Sequence, residues 1–218
     1  MTSHAAIEIR GVSRSFGRVQ AVVDVDLRVE PGTFVGLIGH NGAGKSTLLR
    51  MLIGLLRPDQ GRILVGGVDV HQDPLAARLK IGAVPEQPAV YEYLTAREWL
   101  TFVSEVRGGA DRIEELLVGL DLAGDAERLI REFSQGMRRK AALAAALLGD
   151  PELIVLDESL NGLDPPSAAR VKAMQPEPVP TSSMSAAFGL RRSSASSTNS
   201  SVSGRGINTA GLTMKSRP

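Results

Sequence analysis

The spacing of apolar residues divides the chain into strand-like, helical and irregular segments. From residue 7 to residue 30, apolar and polar positions alternate, which predicts strands with one buried face. A continuous apolar run at Phe34–Ile38 predicts a strand buried on both faces, and it leads through a Gly-rich loop into a helix that ends at Gly54. Further short strands are predicted at 61–65 and 81–84.

A helical segment at 95–149 separates these strands from the last one. Thr95 and Glu98 fit a capping box, in which each side chain accepts from the other residue's backbone N–H. The apolar run Leu153–Leu156 then returns to a buried strand. This order predicts an α/β fold: a mostly parallel sheet with an N-terminal antiparallel β lobe and a helical subdomain at about 90–150. Helices within the subdomain are predicted at 96–106, 111–120, 125–131 and 135–148.

The last 45 residues, from Met174, differ in composition from residues 1–173. They contain eleven serines and four prolines without a sustained apolar period, which predicts a disordered tail. They also carry five Lys or Arg residues against the single acid Glu177, although the whole chain has a formal net charge of +1. Residues 1–173 are therefore slightly acidic, which argues against nucleic-acid binding by the folded part.

Composition excludes several kinds of site and location. The chain has no cysteine, which rules out disulfides, thiolate metal ligands and cysteine nucleophiles and is typical of a reducing compartment. The N-terminus lacks the apolar stretch of a secretory signal. The longest apolar runs, at 51–56 and 141–148, are far shorter than a membrane span. We therefore expect a cytosolic chain, and any membrane part must come from another protein.

Residues 39–46 form a predicted P-loop, because they match the phosphate-binding pattern G-x-x-x-x-G-K-[ST]. Its glycines let backbone N–H groups converge on a phosphate, and the following helix adds the positive end of its dipole. The lysine would reach the β- and γ-phosphates of ATP, and the serine hydroxyl would hold Mg²⁺. The plain alternative is a Gly-rich turn with a solvated lysine, but the flanking strand and helix are the context that the motif requires. The nucleotide-binding residues predicted here are Gly39, Asn41, Gly42, Ala43, Gly44, Lys45, Ser46 and Thr47.

Two carboxylates, Asp157 and Glu158, follow the last predicted strand, and the first comes 112 residues after Lys45. In α/β folds, ligands bind at the carboxyl ends of the parallel strands. There Asp157 would complete the Mg²⁺ shell, and Glu158 would orient or deprotonate the attacking water. A helix N-cap is the ordinary role of such a pair, but the P-loop upstream favours the catalytic interpretation. Glu158 and Lys45 are therefore the candidate catalytic residues.

These residues resemble the ATP-binding subunit of an ABC transporter, a P-loop NTPase, over residues 34–163. Ser134-Gln135-Gly136-Met137, 23 residues before the first carboxylate, is similar to the family's signature sequence Ser-Gly-Gly-Gln. A plain helix N-cap is the alternative role of the serine. The resemblance implies that Ser134 and Gly136 contact the γ-phosphate of a nucleotide held by a second subunit. It also implies that Asp164, in the loop after the catalytic glutamate, bridges the two subunits.

Two further positions take a role from the resemblance. Phe16, 29 residues before Lys45, stands where the family places an aromatic that stacks on adenine, although a core position is the plain alternative. Glu86 follows a Val-Pro pair where the family has a metal-binding glutamine that also touches the membrane subunit, so it is a candidate metal ligand. The Pro-Glu pair here, with Tyr-x-x-Leu-Thr at 91–95, looks like exporter ATPases of some bacterial branches.

The resemblance also implies partners and a reaction cycle. Two such domains pair head-to-tail with two ATP molecules between them, ATP closes the pair, and hydrolysis reopens it. A separate membrane-spanning subunit converts this cycle to transport. The chain is accordingly expected to bind ATP and Mg²⁺, to act as an ATPase, and to lie on the cytoplasmic face of the cell membrane through its partner.

One part of the family pattern is missing. The family has an apolar strand that ends in a histidine after the bridging loop, and this position falls near Arg191. The three histidines, His4, His40 and His71, all precede the helical segment. Either the tail is a natural variant, weakly basic and disordered, or the reading frame is shifted or fused near Met174. The alternative function is therefore a hydrolysis-deficient nucleotide-binding or interaction protein, including a non-functional product.

Overall fold

Strands and helices alternate after an N-terminal hairpin. The computed structural model describes residues 5–108 and 112–157, and the backbone of residues 209–213. The strands are β1 (Ile7–Phe16), β2 (Val19–Val29), β3 (Phe34–Ile38), β4 (Gln60–Val65), β5 (Val68–Asp69), β6 (Ile81–Val84), β7 (Leu153–Leu156) and β8 (Thr209–Thr213). The helices are α1 (Lys45–Leu52), α2 (Pro74–Leu79), α3 (Ala96–Arg107), α4 (Ile113–Gly119) and α5 (Gln135–Leu147).

The antiparallel lobe that the alternating pattern predicts is formed by β1, β2, β4 and β5. The strand order is β2-β1-β4-β5, and Ile7 of β1 pairs with Val29 on one side and Val65 on the other. All three side chains are buried, and so is Ile9, the next residue on the same face of β1. One face of this lobe therefore lies against the core, as expected from the alternation.

Two parallel strand pairs lie outside the lobe. β6 pairs with β7 along its whole length, and β3 pairs with β8 in the same way. The apolar pattern does not predict a strand at 209–213, because Leu212 is the only large apolar residue there. Backbone pairing with β3 forms this strand. The rest of the predicted tail lies outside the described residues.

The capping box at the start of α3 is confirmed. Thr95 Oγ1 accepts from the backbone N–H of Glu98 at 3.2 Å, and the Glu98 carboxylate accepts from the N–H of Thr95 at 2.8 Å. The helix ends at Gly108 in the left-handed conformation that glycine favours. No helix in the described parts of the chain is long and apolar enough to cross a membrane.

The prediction of a helix at 125–131 is wrong. The segment instead contains two single 3-10 turns, Ala123–Asp125 and Ile130–Glu132. The backbone N–H groups of Ile130 and Arg131 donate to the carbonyl oxygens of Leu94 and Glu92, each at 3.0 Å. Pairing with the loop before α3 therefore replaces the hydrogen bonds that a continuous helix would make.

Two hydrophobic clusters meet at the β6–β7 pair. The first gathers side chains of the β lobe, β3 and α1, and the second gathers those of α3, α4 and α5. Leu153 and Val155 of β7 belong to the first cluster and Ile154 to the second, as expected of a strand buried on both faces. An added Cβ on Gly82 of β6 would lie 2.2 Å from the carbonyl oxygen of Ala146, so α5 packs directly on the strand. The sheet thereby fixes the helix that begins at the signature-like sequence.

Candidate nucleotide-binding site

The predicted P-loop connects β3 to α1, as the motif requires. Gly39 follows β3 directly, and α1 begins at Lys45. Gly42 and Gly44 have φ angles of 82° and 84°, a left-handed backbone that glycine adopts without strain. Ala43 between them is buried. The two glycines therefore turn the chain sharply into the helix, which is the geometry that brings successive N–H groups to one anion.

The N-terminus of α1 is open to an anion. Its N-cap, Gly44, offers no side chain to accept from the first N–H groups, and the first turn contains no acidic residue. Unpaired N–H groups and the positive end of the helix dipole favour a phosphate there. Ser46 is exposed and Thr47 half-buried in this turn, and a hydroxyl is a hard oxygen ligand that suits Mg²⁺. The residues present therefore fit a magnesium-bound triphosphate.

The Lys45 ammonium is held against the P-loop backbone. Its Nζ donates to the carbonyl oxygens of Gly39 at 2.7 Å and His40 at 3.0 Å. These are neutral acceptors, and phosphate oxygens are charged acceptors that make stronger hydrogen bonds with an ammonium. The lysine thus has a fixed position beside the loop, and a bound phosphate would replace the two carbonyl oxygens as the stronger acceptor.

Gly44→Ala is expected to lower the free energy of unfolding by about 1–3 kcal/mol. An added Cβ would lie 2.1 Å from the carbonyl oxygen of Ala21 on β2, and the φ of 84° would strain the residue further. Urea unfolding measures the loss. Gly42→Ala is the matched control, because its φ is 82° but no atom of the described part of the chain lies within 4 Å of its added Cβ. Equal losses in the two variants would contradict the contact with Ala21 as a cause.

Phe16 lies at the tip of the β1–β2 hairpin and is 48% exposed, which excludes the core position considered as its alternative. The Arg14 guanidinium lies over the ring, 5.1 Å from its centroid. The same hairpin touches the P-loop, since the carbonyl oxygen of Ala21 lies against Gly44. An exposed aromatic ring on the strand pair that contacts the loop is suited to a nucleotide base, and adenine stacking by Phe16 stays a prediction.

Asp157 and Glu86 leave the β6–β7 pair at the same edge, because the two strands are parallel. The backbone N–H of Asp157 donates to the carbonyl oxygen of Val84 at 3.0 Å, and Asp157 is half-buried. Glu86 lies two residues beyond β6 and is exposed. Val155 of β7 packs in the same cluster as Val35 of β3, the strand that leads into the P-loop. The structure therefore brings the two candidate carboxylate ligands to one edge of the sheet.

The signature-like sequence begins α5. Ser134 is the N-cap, and its hydroxyl accepts from the backbone N–H of Met137 at 3.2 Å. Ser134 and Gly136 are both exposed. The capping role is therefore confirmed, and the same exposed helix N-terminus leaves room for an anion from outside the chain. Glu158 and Asp164, predicted as the catalytic base and the bridging residue, lie outside the described residues.

Arg138 is a residue of this region that the sequence analysis does not single out. Its side chain contacts the segment that precedes Ser134, through hydrogen bonds to Phe133 and Arg131. The available signal was its position four residues after Ser134, because side chains at i and i+4 share one face of a helix. That signal is weak, since the contacts of Arg138 depend on how the preceding loop folds.

Comparison with known proteins decides the family. The family model described as ABC transporter matches residues 22–161, which are 140 of the 218 residues and include the P-loop, both carboxylates and the signature-like sequence. The chain belongs to the ABC transporter family. A solved structure of the ATP-binding subunit of an ABC transporter shares the fold with a TM-score of 0.76 and 29% identity, covering 85% of this chain and 80% of that one. The α/β P-loop fold expected from the resemblance is thereby confirmed.

Two curated relatives are ATP-binding proteins. The daunorubicin resistance ATP-binding protein DrrA3 of Streptomyces coeruleorubidus is 43% identical over 171 residues, which are 76% of this chain and 54% of the relative. The sulfate/thiosulfate import ATP-binding protein CysA of Synechococcus elongatus is 42% identical over 163 residues, 72% of this chain and 47% of the relative. The chain thus spans about half the length of the curated relatives it matches. Because a resistance protein and an importer match at similar identity, identity alone does not assign a direction of transport.

Proposed function

We propose that the chain binds Mg-ATP at the P-loop and hydrolyses it to drive transport through a separate membrane-spanning subunit. The observation that carries this proposal is the position of Lys45, held 2.7 Å from the Gly39 carbonyl oxygen at the start of a helix whose N-cap is Gly44, a residue without a side chain. A cation beside an uncapped helix N-terminus favours binding of a polyphosphate. Membership of the ABC transporter family supports ATP as that polyphosphate.

Different residues of the chain carry out different parts of the proposed reaction. The N–H groups of the P-loop and the Lys45 ammonium stabilise the charge on the transferring phosphoryl group. Glu158 accepts a proton from the attacking water while the new bond to the γ-phosphorus forms and the bond to the bridging oxygen breaks. Ser46, Asp157 and Glu86 would hold Mg²⁺, which neutralises phosphate charge when it is bound.

A second ATP-binding domain completes each site in this proposal. Two copies pair head-to-tail, and Ser134 and Gly136 of one copy contact the γ-phosphate held by the other. Asp164 lies between them. The exposed N-terminus of α5 supports this arrangement, because an anion from another chain can approach it without rearrangement of the helix.

Export is the proposed direction of transport. The support lies in the segment after β6, where Pro85-Glu86 and the residues at 91–95 follow the pattern of exporter ATPases. The membrane-spanning subunit is a separate chain, and the ATP-binding domain lies on the cytoplasmic face of the membrane through contact with it. Nucleic acid is not a partner in this proposal, because residues 1–173 are slightly acidic.

A nucleotide-binding protein without turnover is the second candidate. The observation that favours it is the position of the histidines, none of which follows His71 in the sequence. A missing electrostatic stabiliser at the transferring group would cost on the order of a hundredfold in rate. Phosphate release from ATP by the purified chain, measured with Mg²⁺ and with a chelator, separates the two. Mg²⁺-dependent release supports the ATPase, and nucleotide binding without release supports the alternative.

Phe16→Ala is expected to weaken ATP binding by about fivefold to a hundredfold, since base stacking on an aromatic side chain contributes about 1–3 kcal/mol. Binding of inorganic triphosphate, which has no base, should be unchanged. Both affinities can be measured by calorimetry. Phe102→Ala is the control, because Phe102 is 46% exposed like Phe16 but lies on α3. A loss of triphosphate affinity equal to the loss of ATP affinity would contradict stacking.

A further inference from the structure

Arg138 ties the start of α5 to two other segments. Its Nε donates to the carbonyl oxygen of Phe133 at 3.2 Å, its Nη2 to that of Arg131 at 2.8 Å, and its Nη1 to the Glu92 carboxylate at 2.7 Å. All three nitrogens of one planar guanidinium are therefore used. Two of the acceptors belong to the residues that lead directly into Ser134.

The segment before Ser134 is also held from its other side. The N–H of Arg131 donates to the carbonyl oxygen of Glu92 at 3.0 Å. Glu92 therefore contacts this segment through its backbone, and it contacts the Arg138 guanidinium through its carboxylate. Phe133, adjacent to Ser134, is only 4% exposed and packs in the second hydrophobic cluster. Ser134 itself is exposed between this anchored residue and the first turn of α5.

The geometry of these bonds matters more than the charge pair alone. The side chains of Arg138 and Glu92 are 33% and 49% exposed, and an ion pair of that exposure contributes little to stability. A lysine could keep the pair with Glu92, but its single ammonium lacks the planar fork that reaches two carbonyl oxygens and a carboxylate at once. Substitution by lysine therefore separates orientation of the backbone from charge.

We infer that Arg138 is a positioning residue that fixes Ser134 and the N-terminus of α5 for contact with the γ-phosphate on a second subunit. This role rests on the proposed function, in which Ser134 acts on the opposite site. Arg138 does not touch the nucleotide. It holds the carbonyl groups of Arg131 and Phe133 in place, and these set the direction in which the chain enters the helix.

The test compares Arg138→Lys with wild type in three measurements: ATP affinity of the single chain, ATP-dependent dimerisation, and phosphate release. We expect the affinity to stay within about twofold, because the P-loop of the same chain is untouched. Dimerisation and kcat should fall by about tenfold to a hundredfold, the cost of a misplacement of about 1 Å at a site of action. In Glu92→Gln, dimerisation and kcat should fall less, because the hydrogen bonds from Arg138 to the two carbonyl oxygens remain.

Arg97→Lys is the matched control. Arg97 also lies in the helical subdomain, on α3, but its side chain forms ion pairs with the exposed carboxylates of Glu114 and Glu127. Unchanged dimerisation and kcat in Arg138→Lys would overturn the inference, and so would an equal loss in Arg97→Lys or a parallel loss of single-chain ATP affinity. A wild-type chain that neither dimerises nor releases phosphate would overturn the proposed function, and this inference with it.

Discussion

Glu158→Gln is expected to slow phosphate release by about a hundredfold to ten-thousandfold while ATP binding is kept. An amide has the shape of the carboxylate but cannot accept the proton of the attacking water. Its place in the sequence supports this role: β7 ends at Leu156, the N–H of Asp157 donates to the carbonyl oxygen of Val84 on β6, and Glu158 follows Asp157 in the sequence. Single-turnover phosphate release and equilibrium ATP binding measure the two effects separately.

Glu105→Gln is the control for this variant, because Glu105 is an exposed carboxylate on α3, away from the P-loop. It should leave both measurements unchanged. The catalytic role of Glu158 would be contradicted by a variant that releases phosphate at the wild-type rate, or by one whose ATP affinity falls as far as its turnover.

Lys45→Ala is expected to weaken ATP binding by about tenfold to a hundredfold and to lower kcat by a further hundredfold or more. The variant removes a charged donor to the phosphates and an electrostatic stabiliser of the transferring group. It also removes the hydrogen bonds to Gly39 and His40, but both acceptors are backbone carbonyls of a loop that lies at the surface, so water can replace the ammonium. Calorimetry with ATP and a phosphate-release assay measure the two losses.

Arg62→Ala is the matched control for Lys45→Ala. Arg62 is an exposed cation on β4, in the antiparallel lobe rather than the loop. Loss of ATP affinity in Arg62→Ala comparable to that in Lys45→Ala would mean that general positive charge, rather than the loop, attracts the nucleotide. Urea unfolding should give similar stabilities for the two variants.

The parts of the fold that could be predicted from the sequence are those determined by neighbouring residues. The P-loop is a run of eight residues between a buried strand and a helix, so the motif and the two elements beside it can be predicted from neighbouring residues. Thr95 and Glu98 are three residues apart, and the capping box forms as predicted. In the β lobe, alternation of apolar and polar residues determines which face is buried, and Ile7 and Ile9 obey it.

Elements that depend on distant partners were not predictable in this way. Residues 125–131 have a helical pattern, but their backbone pairs with residues 92–95, far away in sequence. Strand β8 is formed by pairing with β3 and has too few apolar residues to show a period. Helix α2 was not predicted for a different reason. It carries local signals, an Asp73 N-cap and a proline in its first turn, but only Ala77 of its six residues is buried, so it has no extended buried face to give a helical period.

The candidate site shows the same division. The P-loop residues and the two carboxylates, Asp157 and Glu158, are predicted from local spacing, and the role of Phe16 is predicted only from the resemblance to the family. Its exposure, which makes stacking possible, depends on the hairpin and appears only in the structure. Arg138 contacts Glu92 across 46 positions of sequence, so no local pattern could indicate that pair.

Amide hydrogen exchange with and without Mg-ATP tests the central claim, that this chain binds the nucleotide at its P-loop, most directly. Backbone N–H groups that donate to phosphate oxygens are protected from exchange as long as the nucleotide is bound. We predict slower exchange at residues 39–47 when Mg-ATP is present, and a smaller change in Lys45→Ala at the same concentration. Exchange at 39–47 that is unaffected by saturating Mg-ATP, or protection confined to another part of the chain, would contradict the account.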